Sequence, residues 1–407
     1  MRIVQKFGGT SMSGVARIKE TARIVRDEYH RGHQIAVVVS AMSGETNRLL
    51  TLAQDISDCP CEREVDALLA TGEQASATLL AMELDHLGID AFSLNGAQLG
   101  MRTSGAFGRA KIDHVDANHL IAAMDAGRIA VITGFQGVDI DGNITTLGRG
   151  GSDTSAVAIA IAVRADVCDI YTDVDGIYTT DPRIVPNAHK IKQISYEEML
   201  EFASLGAKVL QTRSVGLAMK YGMPIHLRSS FNNITGSMVC REDTSMEKAS
   251  VTGVAYNRNE AKVTLQGIPD QPGIAAGIFN PIAKADINVD VIVQNISAHG
   301  MTDITFTVER EDYRKTMEIM HQHCADLKAS HVAGSDDVAK VSIIGVGMKS
   351  HAGVAQTMFQ ILADAGVNIE MITTSEIKVT VVLGEADVDR AVRLLHTAFD
   401  LDEGDNA

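Results

Sequence analysis

Residues 145–156, reading TTLGRGGSDTSA, set three glycines and an arginine between a strand-like run, Arg128 to Ile132, and an apolar helical run, Ala156 to Val163. This strand, turn and helix constrain the fold more than any other stretch. Gly148, Gly150 and Gly151 permit positive φ and let a ligand approach the main chain closely. Free N–H groups at a helix start, helped by the helix dipole, face an anion. Arg149 adds a planar fork suited to carboxylate or phosphate. Ser152 and Asp153 are common helix caps, so a capped helix after a tight turn is the plainer reading. Three glycines around one arginine exceed what a cap needs, and a ligand loop is expected.

A second glycine turn lies at the start of the chain. Arg2 to Phe7 reads as a strand running into Gly8-Gly9-Thr10-Ser11. It is not a Walker A loop, because Lys6 precedes the glycines and no G-K-[ST] follows. Together QKFGGTS (5–11) and TTLGRGGSDTSA resemble the aspartate kinase branch of the amino-acid kinase family. VVVSAM (37–42), TGE (71–73), GFQGVD (134–139), YTDVDGIYTTDPR (171–183) and EEMLEFASLGAKVL (197–210) agree, in the family's order. SHAGVA (350–355) and NIEMITTSEIKVTVVL (368–383) resemble the family's regulatory modules.

The 407 residues suffice for two or three domains with buried cores. With 36 Lys+Arg against 52 Asp+Glu, the net charge is −16, which disfavours nonspecific binding to nucleic acid or to an anionic membrane surface. Local Arg and Lys can still bind a nucleotide. No signal-peptide core and no membrane-length apolar run is evident, and five scattered cysteines suit reduced thiols in a cytoplasm. Neither Cys59 with Cys61 nor Cys324 with its neighbouring histidines has a recognised metal-ligand spacing.

Residues 1–230 alternate strand-like and helix-like runs, which implies an α/β sandwich. The strand candidates are 2–6, 34–40, 91–94, 128–133, 168–173 and 224–228. The helix candidates are 14–31, 62–87, 115–126, 152–164 and 195–221. Residues 231–250 are polar and read as an irregular boundary. The remainder is an internal repeat. Ala261-Lys262-Val263-Thr264 and Gly267 match Ala339-Lys340-Val341-Ser342 and Gly345, while Ile287-Asn288-Val289-Asp290 matches Val367-Asn368-Ile369-Glu370. With helices expected over 273–285 and 353–365, each half has the ferredoxin-like order. The pattern resembles the paired ACT modules of aspartate kinases. The expected organisation is therefore a catalytic domain over 1–245, an α/β sandwich of amino-acid-kinase type. Two ACT-like α+β modules follow over 262–337 and 338–407. The strand 250–257 is a candidate member of the second module, and Met246 a candidate internal start for a separate regulatory subunit.

The resemblance implies transfer of the ATP γ-phosphoryl group to the side-chain carboxylate of L-aspartate, with Mg2+. The product is 4-phospho-L-aspartate, on the way to lysine, threonine, methionine and diaminopimelate. A free carboxylate has a pKa of about 4 and is already an ionised nucleophile, so no general base is required. Positioning and charge neutralisation are the enzyme's work. Lys6, Arg149, Asp153 and Lys208 are the implied catalytic residues. Phe7, Gly8, Gly9, Ser40, Thr172, Asp173, Tyr178, Arg183 and Val209 join Lys6, Asp153 and Lys208 around ATP. Thr46, Glu73, Arg149, Gly150, Gly151 and Ser152 are the implied aspartate residues, with Glu73 on the ammonium and Arg149 on a carboxylate. At Asn47 and Arg48 the sequence departs from the TT-D pair of many members. Asp153 and Asp173 are within the chemistry of a magnesium ligand, but in the family phosphates hold most of the metal, and no metal ligand is assigned.

Feedback by lysine, threonine or both is expected through the modules, together with a homo-oligomer built on their edges. Asp270 and Gly273, before the first module's helix, and Gln294 and Asn295, after a strand at 289–293, are the effector candidates of the first module. His351, Val354, Asn368, Ile369, Thr374, Ser375 and Glu376 are those of the second. Two rivals remain. One is a non-catalytic amino-acid sensor of the same fold. The other is a kinase of the same family acting on glutamate, acetylglutamate, carbamate or UMP.

Overall fold

The computed structural model describes residues 1–205, 209–242, 250–296, 300–346, 348 and 353–402. In chain order the first elements are β1 (Arg2–Phe7), α1 (Val15–His30), β2 (Gln34–Val39), α2 (Glu45–Ile56), α3 (Glu62–His86) and β3 (Ala91–Leu94). Next come α4 (Gly96–Leu99), β4 (Met101–Thr103), β5 (Ile112–Val115), α5 (Asn118–Asp125), β6 (Ile129–Thr133), β7 (Gln136–Val138) and β8 (Ile144–Thr146). α6 (Gly151–Ala162), β9 (Val167–Thr172), β10 (Ile177–Tyr178), β11 (Lys190–Ile191), β12 (Gln193–Ser195), α7 (Tyr196–Ser204), α8 (Thr212–Tyr221), β13 (Ile225–Ser229) and β14 (Ser237–Cys240) follow. The chain divides into two compact units, Met1–Ile177 with Lys190–Ser245, and Tyr178–His189 with Met246–Ala407.

The first unit is built on an eight-stranded sheet in the order β12-β14-β13-β9-β1-β2-β6-β3. From β13 to β3 every pairing is parallel. Parallel strands covered on both faces read as continuous apolar runs, as in Ile35-Ala36-Val37-Val38-Val39, all buried. Side chains alternate between faces. Phe7, Ile35, Val37, Val39 and Tyr171 meet Ile18, Ala22 and Val25 of α1 and Ala77, Leu80 and Leu84 of α3 on one side. The opposite parity, which includes Lys6, faces α6. That helix is apolar nearly all round and is buried from Gly151 to Ala160, the mark of a central helix.

Several expectations change. The helix expected over 195–221 is two, because Ser195 and Glu198 form a capping box that starts α7, while α8 begins only after the extended Gln211 and ends at Gly222 with φ 67°. Val115 closes β5, and the helix expected from 115 starts at Asn118. The stretch 231–250 is not irregular throughout, since β14 pairs antiparallel with β13. The glycine loop does not follow the strand at 128–133 directly; β7 and β8, in a separate four-stranded sheet ordered β5-β4-β7-β8, intervene. Residues 178–189, inside the expected catalytic stretch, cluster with the second unit because Ile184 and Val185 are buried there with Val254 and Val341.

The second unit contains β15 (Ser250–Pro269), α9 (Ile274–Lys284), β16 (Val289–Ile296), β17 (Met301–Val308), α10 (Tyr313–His323) and β18 (His331–Val346). α11 (Gly353–Asp364), β19 (Ile369–Thr374), β20 (Lys378–Gly384) and α12 (Val388–Ala398) complete it. Its six strands are antiparallel, in the order β16-β17-β15-β18-β20-β19. β15 and β18 run through both halves. Ser250 to Asn257 pairs with Lys340 to Val346, and Lys262 to Gln266 pairs with His331 to Ser335. Each half has its own core, one around Val263, Ile278, Phe306 and Met320, the other around Val254, Val341, Met358 and Leu395. Gln294 and Asn295 lie within β16 rather than after it. Among the described residues no helix is long and apolar enough to cross a membrane. Lys208, Met246 and His351 lie outside the described residues.

Candidate active site

The chain order reverses direction about β1. β2, β6 and β3 extend the sheet on one side, β9 and β13 on the other. In open α/β sheets ligands sit outside the carboxyl ends of the strands at such a switch point. Lys6, Phe7, Gly8 and Gly9 occupy that end of β1, Ser40 and Ala41 that of β2, and Thr172 and Asp173 that of β9. Gly8 N–H donates to the Tyr171 carbonyl at 3.2 Å, which ties the turn to β9. A Cβ on Gly9 would stand 3.1 Å from the Ala41 carbonyl oxygen, so the turn lies flat against the end of β2. The Ser11 hydroxyl is buried against Ser230 Oγ at 2.7 Å and is not available as a loose donor.

The second loop meets the first through one ion pair. Lys6 Nζ lies 2.6 Å from Asp153 Oδ1, with both side chains about nine-tenths buried. Asp153 is not the cap of α6. Gly150 is, with φ 68°, and Ser152 and Asp153 fall in the first turn, where the dipole favours a carboxylate. A Cβ on Gly150 would overlap the Gln211 side chain at 2.0 Å. Gly151 does not take positive φ; it is required because a Cβ would meet Phe135 at 2.8 Å and Leu147 at 2.9 Å. Arg149, between Gly148 (φ 73°) and Gly150, is exposed and makes no ion pair among the described residues.

Three supporting residues are absent from the sequence reading. Asp66 is buried on α3 and accepts from Gly108 N–H at 2.9 Å and from Thr146 N–H and Oγ1–H, both at 2.7 Å. Arg213 donates to the carbonyls of Leu147 and Ala110 and so braces the loop. Phe135 holds φ 68°, rare for a bulky side chain, with its N–H on Ser155 Oγ at 3.1 Å. A helical-wheel cue existed for Asp66 alone, two turns ahead of Glu73.

Glu73 is buried rather than a surface carboxylate. Its Oε1 accepts from Ala41 N–H at 3.0 Å, and Oε2 has no hydrogen-bond partner among the described residues. Burial is the main cause that pushes its pKa up to about 7, against the lowering influence of the Ala41 N–H. A buried carboxylate with one free oxygen is the arrangement that an ammonium completes. Thr46 is half-buried on α2, and the unfamiliar Arg48 beside it is exposed and pairs with Glu45 at 2.7 Å.

The nucleotide candidates are less uniform. Phe7 is fully buried and stacks on Tyr171 at 4.6 Å, so only its backbone is open to a ligand; its carbonyl accepts from Ser40 N–H at 3.1 Å. Thr172 Oγ1 donates to the exposed Asp173 at 3.0 Å, and Val209 is half-buried in a turn. Tyr178 and Arg183 belong to the second unit. Among the described residues no group of three His, Cys, Asp or Glu could hold a metal ion. Of the effector candidates, Asp270 N–H donates to the Gly300 carbonyl at 2.9 Å and Gly273 caps α9 with φ 94°. Gln294, Asn295, Asn368, Thr374, Ser375 and Glu376 are exposed, and Val354 and Ile369 half-buried.

The model of the amino acid kinase family matches residues 1–229, and that of the ACT domain matches 263–324 and 341–399. The aspartokinase of Pseudomonas aeruginosa is 52% identical over 402 residues, 98% of each chain. The structure of E. coli aspartokinase III in complex with aspartate and ADP, in the R-state, has a TM-score of 0.81 at 27% identity, covering 98% of this chain and 99% of that one. The T-state of the same enzyme, in complex with lysine and aspartate, has a TM-score of 0.78 at the same identity and coverage.

Proposed function

The chain belongs to the amino-acid kinase family as an ATP-dependent aspartate kinase with ACT regulation, and from that premise we infer how its residues share the work. An oxygen of the aspartate side-chain carboxylate attacks the γ-phosphorus of ATP, and the bond from that phosphorus to the bridging oxygen breaks to release ADP. No proton moves, so the site needs positioned charge rather than a base. Lys6 neutralises charge on the transferring group. The backbones of Phe7, Gly8 and Gly9 cradle phosphate oxygens, with Ser40, Thr172, Asp173, Tyr178, Arg183, Lys208 and Val209 completing the nucleotide contacts. Arg149 grips an aspartate carboxylate, Glu73 takes the ammonium, and Thr46, Gly150, Gly151 and Ser152 shape the pocket around the start of α6. The observation that carries this reading is the buried Lys6–Asp153 pair at the switch point, where the two glycine loops meet.

Mg2+ would neutralise the triphosphate when bound with it. The phosphates hold most of the ion, with Asp153 and Asp173 in the chemistry to touch it directly or through water and no protein ligand assigned. The domains are 1–245 for catalysis and 262–337 and 338–407 for regulation, with 178–189 and 250–257 working with the second module. Lysine, threonine or both inhibit through those modules, at Asp270, Gly273, Gln294 and Asn295 and at their counterparts in the second half. Ile292 on β16 and Ile372 on β19, exposed at matching repeat positions on the two edge strands, support a homo-oligomer. The chain works in the cytoplasm, where its biosynthetic product is used, and Met246 is a candidate start for a separate regulatory subunit.

A coupled ADP-release assay with ATP and Mg2+ tests the assignment. Aspartate should support turnover, whereas glutamate, acetylglutamate, carbamate and UMP should not. Lysine and threonine at millimolar concentration should lower the rate. ADP release with another acceptor, or with none, would overturn the reading.

The raised pKa of Glu73 has a sign that can be measured. The free enzyme holds Glu73 protonated below about pH 7, while the aspartate ammonium needs it ionised. Binding therefore strengthens as pH rises through 7, and the aspartate KM should grow about tenfold between pH 8 and pH 6. Glu73→Gln should show a high KM with no such dependence. A flat wild-type profile would remove Glu73 from the ammonium.

A further inference from the structure

Arg149 and Glu73, the two charged groups read as gripping aspartate, stand on a loop and on a helix, and α3 is tied to the surroundings of both. Asp66, Ala70 and Glu73 lie on its buried face. Asp66 and Glu73 are two turns apart, about 10 Å along the axis at about 1.5 Å per residue. Asp66 is only 1% exposed. Its Oδ2 accepts from Thr146 N–H at 2.7 Å and from Gly108 N–H at 2.9 Å, and its Oδ1 from the Thr146 hydroxyl at 2.7 Å. One turn on, Gln136 Nε2 donates to the Ala70 carbonyl at 3.0 Å, and Gln136 on β7 is the register partner of Thr146 on β8. Next along the face, Glu73 takes the Ala41 N–H at 3.0 Å. Gly72 permits this close seat, since a Cβ there would stand 2.9 Å from that of Ala41.

The Asp66 carboxylate also joins two loops of the catalytic unit. Thr146 ends β8, just ahead of the Arg149 turn, and Gly108 lies in the loop 104–111 between β4 and β5. The two loops are bound to each other as well. Ala110 N–H donates to the Thr146 carbonyl at 2.9 Å, Arg213 bridges the carbonyls of Leu147 and Ala110, and a Cβ on Gly148 would stand 2.9 Å from the Gly108 carbonyl oxygen. The loop 104–111 is therefore the wall against which the arginine turn is set. Every group bonded to Asp66 is a donor, which suits an acceptor-only carboxylate and not a carboxamide. Bonds to a charged acceptor are the strong kind, and two of them fall on Thr146, from which the turn departs.

We propose that Asp66 is a positioning residue for aspartate capture. Through Thr146 and the loop 104–111 it registers the Arg149 turn against Glu73 on the same helix. It does not touch substrate; α3 acts as the ruler that sets the separation between the group taking a carboxylate and the group taking the ammonium. The proposal rests on the reading that Arg149 and Glu73 are those two groups.

Asp66→Asn keeps the shape but turns N–H donors towards the Thr146 and Gly108 donors. It should lower kcat/KM for aspartate about tenfold or more, against the roughly 100-fold that a misplacement of about 1 Å can cause, mostly as a raised aspartate KM. The ATP KM should not change. Thr146→Val removes the hydroxyl alone and should act in the same direction by about three- to tenfold, and Thr146→Ser should return the wild-type value. Added to Arg149→Ala, either Asp66→Asn or Thr146→Val should lower aspartate kcat/KM by less than about twofold more, because both work through Arg149. A purely structural Asp66 would lower the unfolding midpoint while the KM values of the folded enzyme stayed put. That outcome, an equal rise in the ATP KM, full additivity with Arg149→Ala, or a Thr146→Ser enzyme as weak as Thr146→Val would each overturn the proposal. Should Asp66→Asn fail to fold, the Thr146 variants, alone and with Arg149→Ala, decide the matter. A wild-type enzyme that released no ADP with aspartate would instead overturn the functional reading itself, so the two failures are distinct.

Discussion

Lys6→Ala should lower kcat about 10²–10³-fold, the usual cost of losing one oriented charge stabiliser. The structure adds a second consequence. Asp153 lies 2.6 Å from Lys6 with little solvent around either side chain. Removing one partner of a buried pair leaves the other charge uncompensated, which typically costs about 3–5 kcal/mol. Lys6→Ala should therefore unfold at lower urea than wild type, and Lys6→Ala combined with Asp153→Asn should recover most of that loss without recovering turnover. The kcat of the single variant is to be measured where circular dichroism shows it folded. A folded Lys6→Ala enzyme that kept kcat within about threefold of wild type would reduce Lys6 to a structural counter-ion.

Arg149→Ala should separate binding from folding more cleanly. The side chain is exposed on a glycine-flanked turn and makes no ion pair among the described residues, so nothing in the fold depends on it. Its loss should leave the unfolding midpoint unchanged and fall on the substrate. Truncating one side of a charged, hydrogen-bonded pair costs about 2–5 kcal/mol, so kcat/KM for aspartate should drop about 30-fold or more. Part of the loss should appear as a raised aspartate KM, because the grip exists before the transition state. Arg149→Lys should rescue it poorly, since an ammonium cannot reproduce the planar fork. An unchanged aspartate KM, or an equal rise in the ATP KM, would place Arg149 elsewhere.

The repeat shows how far local pattern reaches. Lys262 with Lys340, and Asp290 with Glu370, are legible as matched positions. The structure pairs them crosswise, Lys262 with Glu370 and Lys340 with Asp290, so each half supplies the counter-ion of the other. It also breaks the symmetry. Lys340 has a second partner, buried Glu260, at 2.6 Å, where the matching position of the other half is Val338. The register shows Glu260 against Val338, and only the fold shows that Glu260 is buried against Lys340.

What the sequence determined by itself is what short-range physics encodes. Strand limits at β1, β2, β3, β6, β9 and β13 fall within one residue of expectation, most directly at β2 and β6, where near-continuous β-branched and apolar runs leave little else to form. The two glycine loops are legible as local clusters of small residues beside a charge, although only Gly148 and Gly150 among their glycines use positive φ and Gly9 and Gly151 are set by close approach of other parts of the fold. Capping is decided by which side chain reaches which N–H, so the 195–221 pattern concealed two helices, and Ser152 and Asp153 looked like caps they are not. Only the tertiary structure decided partnership. Lys6 meets Asp153, Glu73 keeps one oxygen unpaired, Asp66 and Arg213 brace the loop, and residues 178–189 leave the catalytic unit for the other core. Each of these depends on burial and on contacts far apart in the chain, and such energies are set by the whole folded environment rather than by any window of residues.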